Sequence, residues 1–140
     1  MILVDTAIWS LALRRSTRDL SSRETGIVRE WIRLVTSGLA TLIGPIRQEI
    51  LSGIRNEKAF EAIRSQLSDF RYLEITLGDY DRAACFFNQC RSKGLVGSPV
   101  DMLICAVASR HKFPIFTTDK DFERYLEHLS IQLHRFSGHD

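Results

Sequence analysis

Short apolar runs of strand type alternate with longer helical stretches along the 140-residue chain, and this alternation constrains the fold more than any other feature. The runs "ILV" (2–4), "LATLI" (39–43), "RYLEI" (71–75) and "PIFT" (114–117) read as strands, and "IQLH" (131–134) as an edge strand. Helical stretches follow over about 6–14, 22–37, 45–54, 57–69, 79–93, 98–111 and 120–127. Their ends carry chemistry that explains them. Ser21 and Glu24 form an S-x-x-E capping box, and Gly38 supplies a stop. Pro45 suits the first turn of its helix, where Ile46, Ile50, Leu51 and Ile54 make an apolar stripe. Lys93–Gly94 gives a cationic last turn with a glycine stop, and Ser98–Pro99 a cap with proline behind it. Strands alternating with helices predict an α/β fold whose parallel sheet is covered on both faces. Ligands in such sheets bind beyond the carboxyl ends of the strands, where strand order reverses.

That rule selects four acids. Asp5 ends the first strand, Glu49 lies in the first turns of the helix after the second, and Asp119 follows the fourth. Asp101 stands in the first turn of the helix leading back to the fourth strand, so it too starts on the carboxyl side. Each has a plain structural alternative. Asp5 suits a helix cap, Glu49 a solvated face, Asp101 a capping interaction with Ser98, and Asp119 an N-cap with Asp121 near the helix dipole. Taken together, carboxylates on one rim repel and raise one another's pKa unless a cation neutralises them. A hard divalent cation, Mg²⁺ or Mn²⁺, meets that need. From spacing alone both readings stay open.

Composition excludes several classes. No run approaches the ~20 apolar residues of a membrane span, and "MILVDTAIW" has no basic n-region of a signal peptide. Cys85, Cys90 and Cys105 cannot all pair and have no metal-finger spacing, so small core thiols in a reducing cytoplasm are expected. The length fits one domain over residues 1–140. Fifteen of nineteen basic residues are arginine, six of them between Arg14 and Arg33. Arginine suits bidentate phosphate contact, although most arginine-rich helical faces are merely solvated.

The stretches "ILVDTAIW" (2–9), "IGPIRQEILSG" (43–53) and "GLVGSPVDMLICAVASRHKFPIFTTDKDF" (94–122), with the spacings between them, resemble the PIN-domain nucleases. Within these they resemble the VapC-type ribonuclease toxins of toxin–antitoxin pairs. The resemblance spans nearly the whole chain and implies a three-layer α/β/α fold with a central parallel sheet of four to five strands. It assigns Asp5, Glu49, Asp101 and Asp119 to binding Mg²⁺ or Mn²⁺ and to catalysis. Thr6 and Thr117 match hydroxyl positions that support the acids, and Asp121 falls at a position tolerant of several polar residues. Ala7 stands where the family often carries Ser or Asn.

The implied activity is metal-dependent endoribonuclease cleavage of RNA, with tRNA, rRNA and mRNA all open as targets and inhibited translation as the result. The implied partners are a small VapB-like antitoxin and a second copy of the chain. With the four rim acids set aside, thirteen acids remain against nineteen bases, an excess of six positive charges. Arg14, Arg15 and Arg18, after the helix leaving Asp5, are candidate RNA contacts. Trp9, Leu11, Leu13 and Trp31 suit either the core or partner contacts. Two rival readings are a non-catalytic PIN-like RNA-binding or assembly module, which predicts a missing acid, and a receiver-like phosphotransfer domain. The latter wants an aspartate after a central strand and a lysine after a later one, whereas Lys120 adjoins the acid.

Overall fold

The computed structural model describes residues 1–14 and 17–137. The order is β1 (Ile2–Val4), α1 (Thr6–Arg14), a 3₁₀ turn (Thr17–Asp19), α2 (Ser22–Thr36), β2 (Ala40–Leu42), α3 (Gly44–Leu51) and α4 (Glu57–Leu67). Then come β3 (Arg71–Tyr72), α5 (Leu77–Ser92), α6 (Pro99–His111), β4 (Ile115–Phe116) and α7 (Asp121–Leu126). The four strands form one parallel sheet in the order β3-β2-β1-β4, flanked by helices in a three-layer α/β/α arrangement. Strand order runs 3, 2, 1 and then jumps to 4. The reversal therefore lies between β1 and β4, whose register pairs Leu3 with Ile115 and Val4 with Phe116.

Leu3, Val4, Leu42, Ile115 and Phe116 are fully buried, as strands covered on both faces must be. Trp9 on α1 packs behind β1, and its indole N–H donates to Val4 O at 2.9 Å. Its ring meets Trp31 and Phe70 edge-on, at 5.6 and 4.8 Å between centroids. Such pairs add about 1 kcal/mol each beyond area burial. Trp9 is thus core, while Leu11, Leu13 and Trp31 are only partly buried against it.

Several elements differ from the sequence expectation. Only Arg71 and Tyr72 of "RYLEI" join the sheet as a strand, with Leu73 N–H adding one bond to Leu42 O at 2.8 Å. Beyond that the chain turns away to reach Thr76, which forms a capping box with Asp79 and starts α5 at Leu77. The segment 131–134 lies beside β4 through a single parallel bridge, Ile115 to Leu133, rather than a full strand. Its amides still close the edge: Ile115 N–H donates to Gln132 O (2.8 Å) and His134 N–H to Ile115 O (2.7 Å). Cys90 and Cys105 are buried as expected, but Cys85 is exposed, because it falls on the outward face of α5.

Two buried acids brace the frame. Glu30 accepts a bidentate pair of bonds from Arg33 and meets His134 Nε2, tying 131–134 to α2. Arg33, then His134, holds its carboxyl below the usual range against the opposing effect of burial. Asp79 accepts two bonds from Arg110, at 2.8 and 2.9 Å, and so clamps α6 to the start of α5.

Candidate active site

β1 ends on Asp5, which is 6% exposed and sits at the reversal. Its Oδ1 accepts the Thr6 amide at 2.7 Å, and its Oδ2 accepts the Thr117 hydroxyl at 2.7 Å. Thr117 follows β4 directly, so this bond joins the two strands that flank the crevice. The same hydroxyl oxygen accepts the Asp119 amide at 3.0 Å, fixing the loop that carries the next acid.

α3 starts at Gly44, straight from the carboxyl end of β2, and carries Glu49 to the same rim. Glu49 is exposed, and its Oε1 accepts the Thr6 hydroxyl at 2.6 Å. α6 starts under a Ser98 cap whose hydroxyl accepts the Asp101 amide at 3.0 Å. The carboxylate of Asp101 is half-buried and accepts the Tyr125 hydroxyl on Oδ2 at 2.8 Å. Tyr125 escaped the sequence reading, because a bond between residues 24 apart leaves no local pattern.

Asp119 serves the fold and the rim together. Its Oδ1 accepts the Asp121 amide at 2.9 Å and so opens α7 as a cap. Its charge still reaches Asp5 and Asp101. Asp121 sits differently: it is exposed, with its Oδ1 3.9 Å from Arg124 Nη1 on its own helix. Its link to the rim is the backbone bond to Asp119.

The electrostatics follow from this crowding. Burial pushes Asp5 up to about 6 against the stabilising bonds from Thr117 and Thr6, and Asp101 and Asp119 add to the rise. Burial raises Asp101 as well, with Tyr125 and Ser98 opposing it and Asp119 and Glu49 assisting. None of the four acids has a basic partner within salt-bridge distance among the described residues. Each instead leans on a hydroxyl or amide donor.

Four carboxylates with unneutralised charge are the donor set that a hard divalent cation takes. Among the described residues, no three His, Cys, Asp or Glu side chains are drawn together enough to ligate one ion as they stand. Glu49 Oε2, Asp101 Oδ1 and Asp119 Oδ2 carry no protein donor among the described residues. The donor chemistry fits, and these three oxygens are free to take an ion.

Of the candidate RNA contacts, Arg14 is exposed and lines a groove beside the rim. Arg18 is exposed on the 3₁₀ turn, and Arg15 is outside the described residues. Ala7 is exposed on the first turn of α1 and lines that same groove.

A parallel α/β domain with an acidic crevice at its strand-order reversal is the class that this fold and site define. Residues 2–127 match the PIN domain family model, and the chain belongs to the PIN-domain family. It is 29% identical over 138 residues to VapC ribonuclease Mb1587 of Mycobacterium bovis, covering 97% of this chain and 99% of the relative. Ribonuclease VapC11 of Mycobacterium tuberculosis matches to the same extent. In solved structures, the fold is similar to FitAB bound to an IR36 DNA fragment, at TM-score 0.72, 18% identity and coverage of 96% of this chain and 94% of that one. It is also similar to VapBC2 of Rickettsia felis bound to a promoter DNA fragment, at TM-score 0.71, 17% identity and coverage of 96% and 98%.

Proposed function

We propose that the protein is a Mg²⁺- or Mn²⁺-dependent endoribonuclease, the toxin of a toxin–antitoxin pair. One observation carries the reading: four carboxylates from four separate segments share the reversal crevice with no basic partner among the described residues. The near-full-length similarity to VapC ribonucleases supports it. Asp5, Glu49, Asp101 and Asp119 would hold the metal. Bound there, the metal supplies a water of lowered pKa and neutralises charge on the scissile phosphate.

The chain's own residues do the rest. Thr117 and the Thr6 amide fix Asp5, and Tyr125 fixes Asp101. The Thr6 hydroxyl steers Glu49, and Glu49 or Asp119 orients the attacking water, whose proton passes to solvent. In-line attack at phosphorus expels the 3′ oxygen, which takes up a proton from solvent, and leaves 5′-phosphate and 3′-hydroxyl ends. A VapB-like antitoxin restrains the activity in the cell, and the chain acts as a homodimer on tRNA or rRNA, so halting translation.

The test is purified protein with tRNA, rRNA or mRNA in Mg²⁺ or Mn²⁺, with and without EDTA. Cleavage is expected only with metal, and is lost in Asp5→Asn and Asp101→Asn. Cleavage that persists in EDTA or in both variants refutes the reading.

A further inference from the structure

Two open grooves meet at Thr118, next to Asp119, the one of the four acids that lines either of them. One, of about 610 Å³, has Ala7, Ser10, Arg14, Arg23 and Thr118 in its walls. The other, of about 490 Å³, has Arg23, Thr117, Thr118, Asp119, Lys120 and Arg135. Arg23 and Thr118 belong to both, so the two make one trough that touches the rim at Asp119, with Arg23 at the junction.

The charge in that trough is selective. Arg33, Arg64, Arg110, Arg124 and Arg135 each face a carboxylate of their own. Arg23 has no such partner among the described residues, nor do Arg14 and Lys120. The acids of the trough away from the rim are engaged: Glu24 accepts the Ser21 amide, and Glu123 accepts Arg135. Net positive charge thus faces the open space on either side of an acidic rim.

Arg23 does nothing for the fold that explains it. It stands in the first turn of α2, where the helix dipole disfavours a cation by about 0.5 kcal/mol. The helix start is already closed by the Ser21–Glu24 box, so backbone amides are not the binding device. Among the described residues no Phe, Tyr or Trp lines either groove and His134 is the one aromatic ring in their walls, so the walls offer mainly contact to a sugar–phosphate backbone.

We propose that the trough is the track of a single RNA strand through the site, and that Arg23 is its phosphate-positioning residue. The proposal rests on the ribonuclease reading and adds the substrate path to it. Arg23 grips the backbone beside the scissile linkage with its planar fork, and Arg14 and Lys120 extend the grip to either side.

The experiment measures binding of a short fluorescein-labelled single-stranded RNA between about 50 and 200 mM salt, in an Asp101→Asn background that does not cleave. Arg23→Gln is expected to lower the salt slope by about 0.7, the share of one phosphate contact on a single strand. The loss is uniform across RNA sequences. Arg29→Gln removes the same charge from the same helix at an exposed position outside both grooves, and leaves the slope unchanged. Arg23→Lys keeps the slope. With Asp101 restored, Arg23→Gln raises KM on the order of tenfold and leaves kcat little changed.

Equal slopes for the Arg23 and Arg29 variants, in a protein whose parent still cleaves RNA, overturn the proposal and leave the ribonuclease reading intact. Failure of the parent to bind or cleave any RNA removes both. An unchanged RNA slope with weakened binding of an acidic peptide assigns the trough to a protein partner and overturns the proposal.

Discussion

The Tyr125 hydroxyl donates a 2.8 Å hydrogen bond to Oδ2 of Asp101, joining α7 to the first turn of α6. Tyr125 is buried, and burial followed by the bond to Asp101 pushes its phenol well above the ordinary range, so it stays a donor. Tyr125→Phe removes that donor with almost no change of shape. Stability should fall by about 1 kcal/mol, read by urea denaturation. Asp101 then moves further up, and single-turnover cleavage near neutral pH should drop on the order of tenfold.

Asp5 exchanges stability for charge. Its pKa of about 6 in the fold lies above the ordinary 3.8, so the folded chain binds the proton more tightly than the unfolded one. The cost to stability therefore grows as pH rises from about 4 to about 6 and stands in full above that. A shift of about two units corresponds to roughly 3 kcal/mol. Asp5→Asn should accordingly raise metal-free stability by about 2 kcal/mol at neutral pH, with little gain near pH 4. The amide reproduces only one of the two acceptors, which trims the gain, and cleavage should be lost.

Asp119 separates its two roles by choice of substitution. Asp119→Asn keeps a carbonyl oxygen for the Asp121 amide and should leave stability unchanged while cleavage falls steeply. Asp119→Ala loses the cap as well and should cost about 1 kcal/mol. Equal cleavage by both variants and the parent would make Asp119 a cap alone.

Arg110→Met strands Asp79, 2% exposed, without its guanidinium. Breaking a buried pair costs about 3–5 kcal/mol. Arg110 itself is 40% exposed, and water discounts the loss to about 2 kcal/mol. Arg110 holds Asp79 below the usual carboxylate range. The stability from this pair is therefore present at neutral pH and lost as pH falls through that lowered value. Because the pair lies away from the rim, kcat should hold at temperatures where the variant remains folded.

The sequence shows local chemistry well and tertiary chemistry poorly. "ILV" before Asp5, the Ser21–Glu24 box and the Ser98–Pro99 start are all legible, because each acts within a few residues. The sequence predicts a helix from 79, whereas α5 starts at 77 behind Thr76 and Asp79, a box of the same kind. There the apolar "LEI" before Thr76 reads as strand, and the edge position of β3 ends its ladder early. Tyr125 beneath Asp101, and Glu30 paired with His134 across 104 residues, have no signature in spacing. Arg23 is visible only as one of six arginines until the trough gives it a place.

The β1–β4 seam also has a consequence in time. Asp5 is made 112 residues before the Thr117 hydroxyl that holds it. Asp119 and the Tyr125 prop come later still. Pairing so remote in sequence forms slowly and only after the intervening helices have closed the loop. A ribosome making this chain therefore carries no assembled acidic rim until it has translated past Tyr125. The stretch from Thr117 to Tyr125 is thus what turns a lone buried carboxylate into a rim.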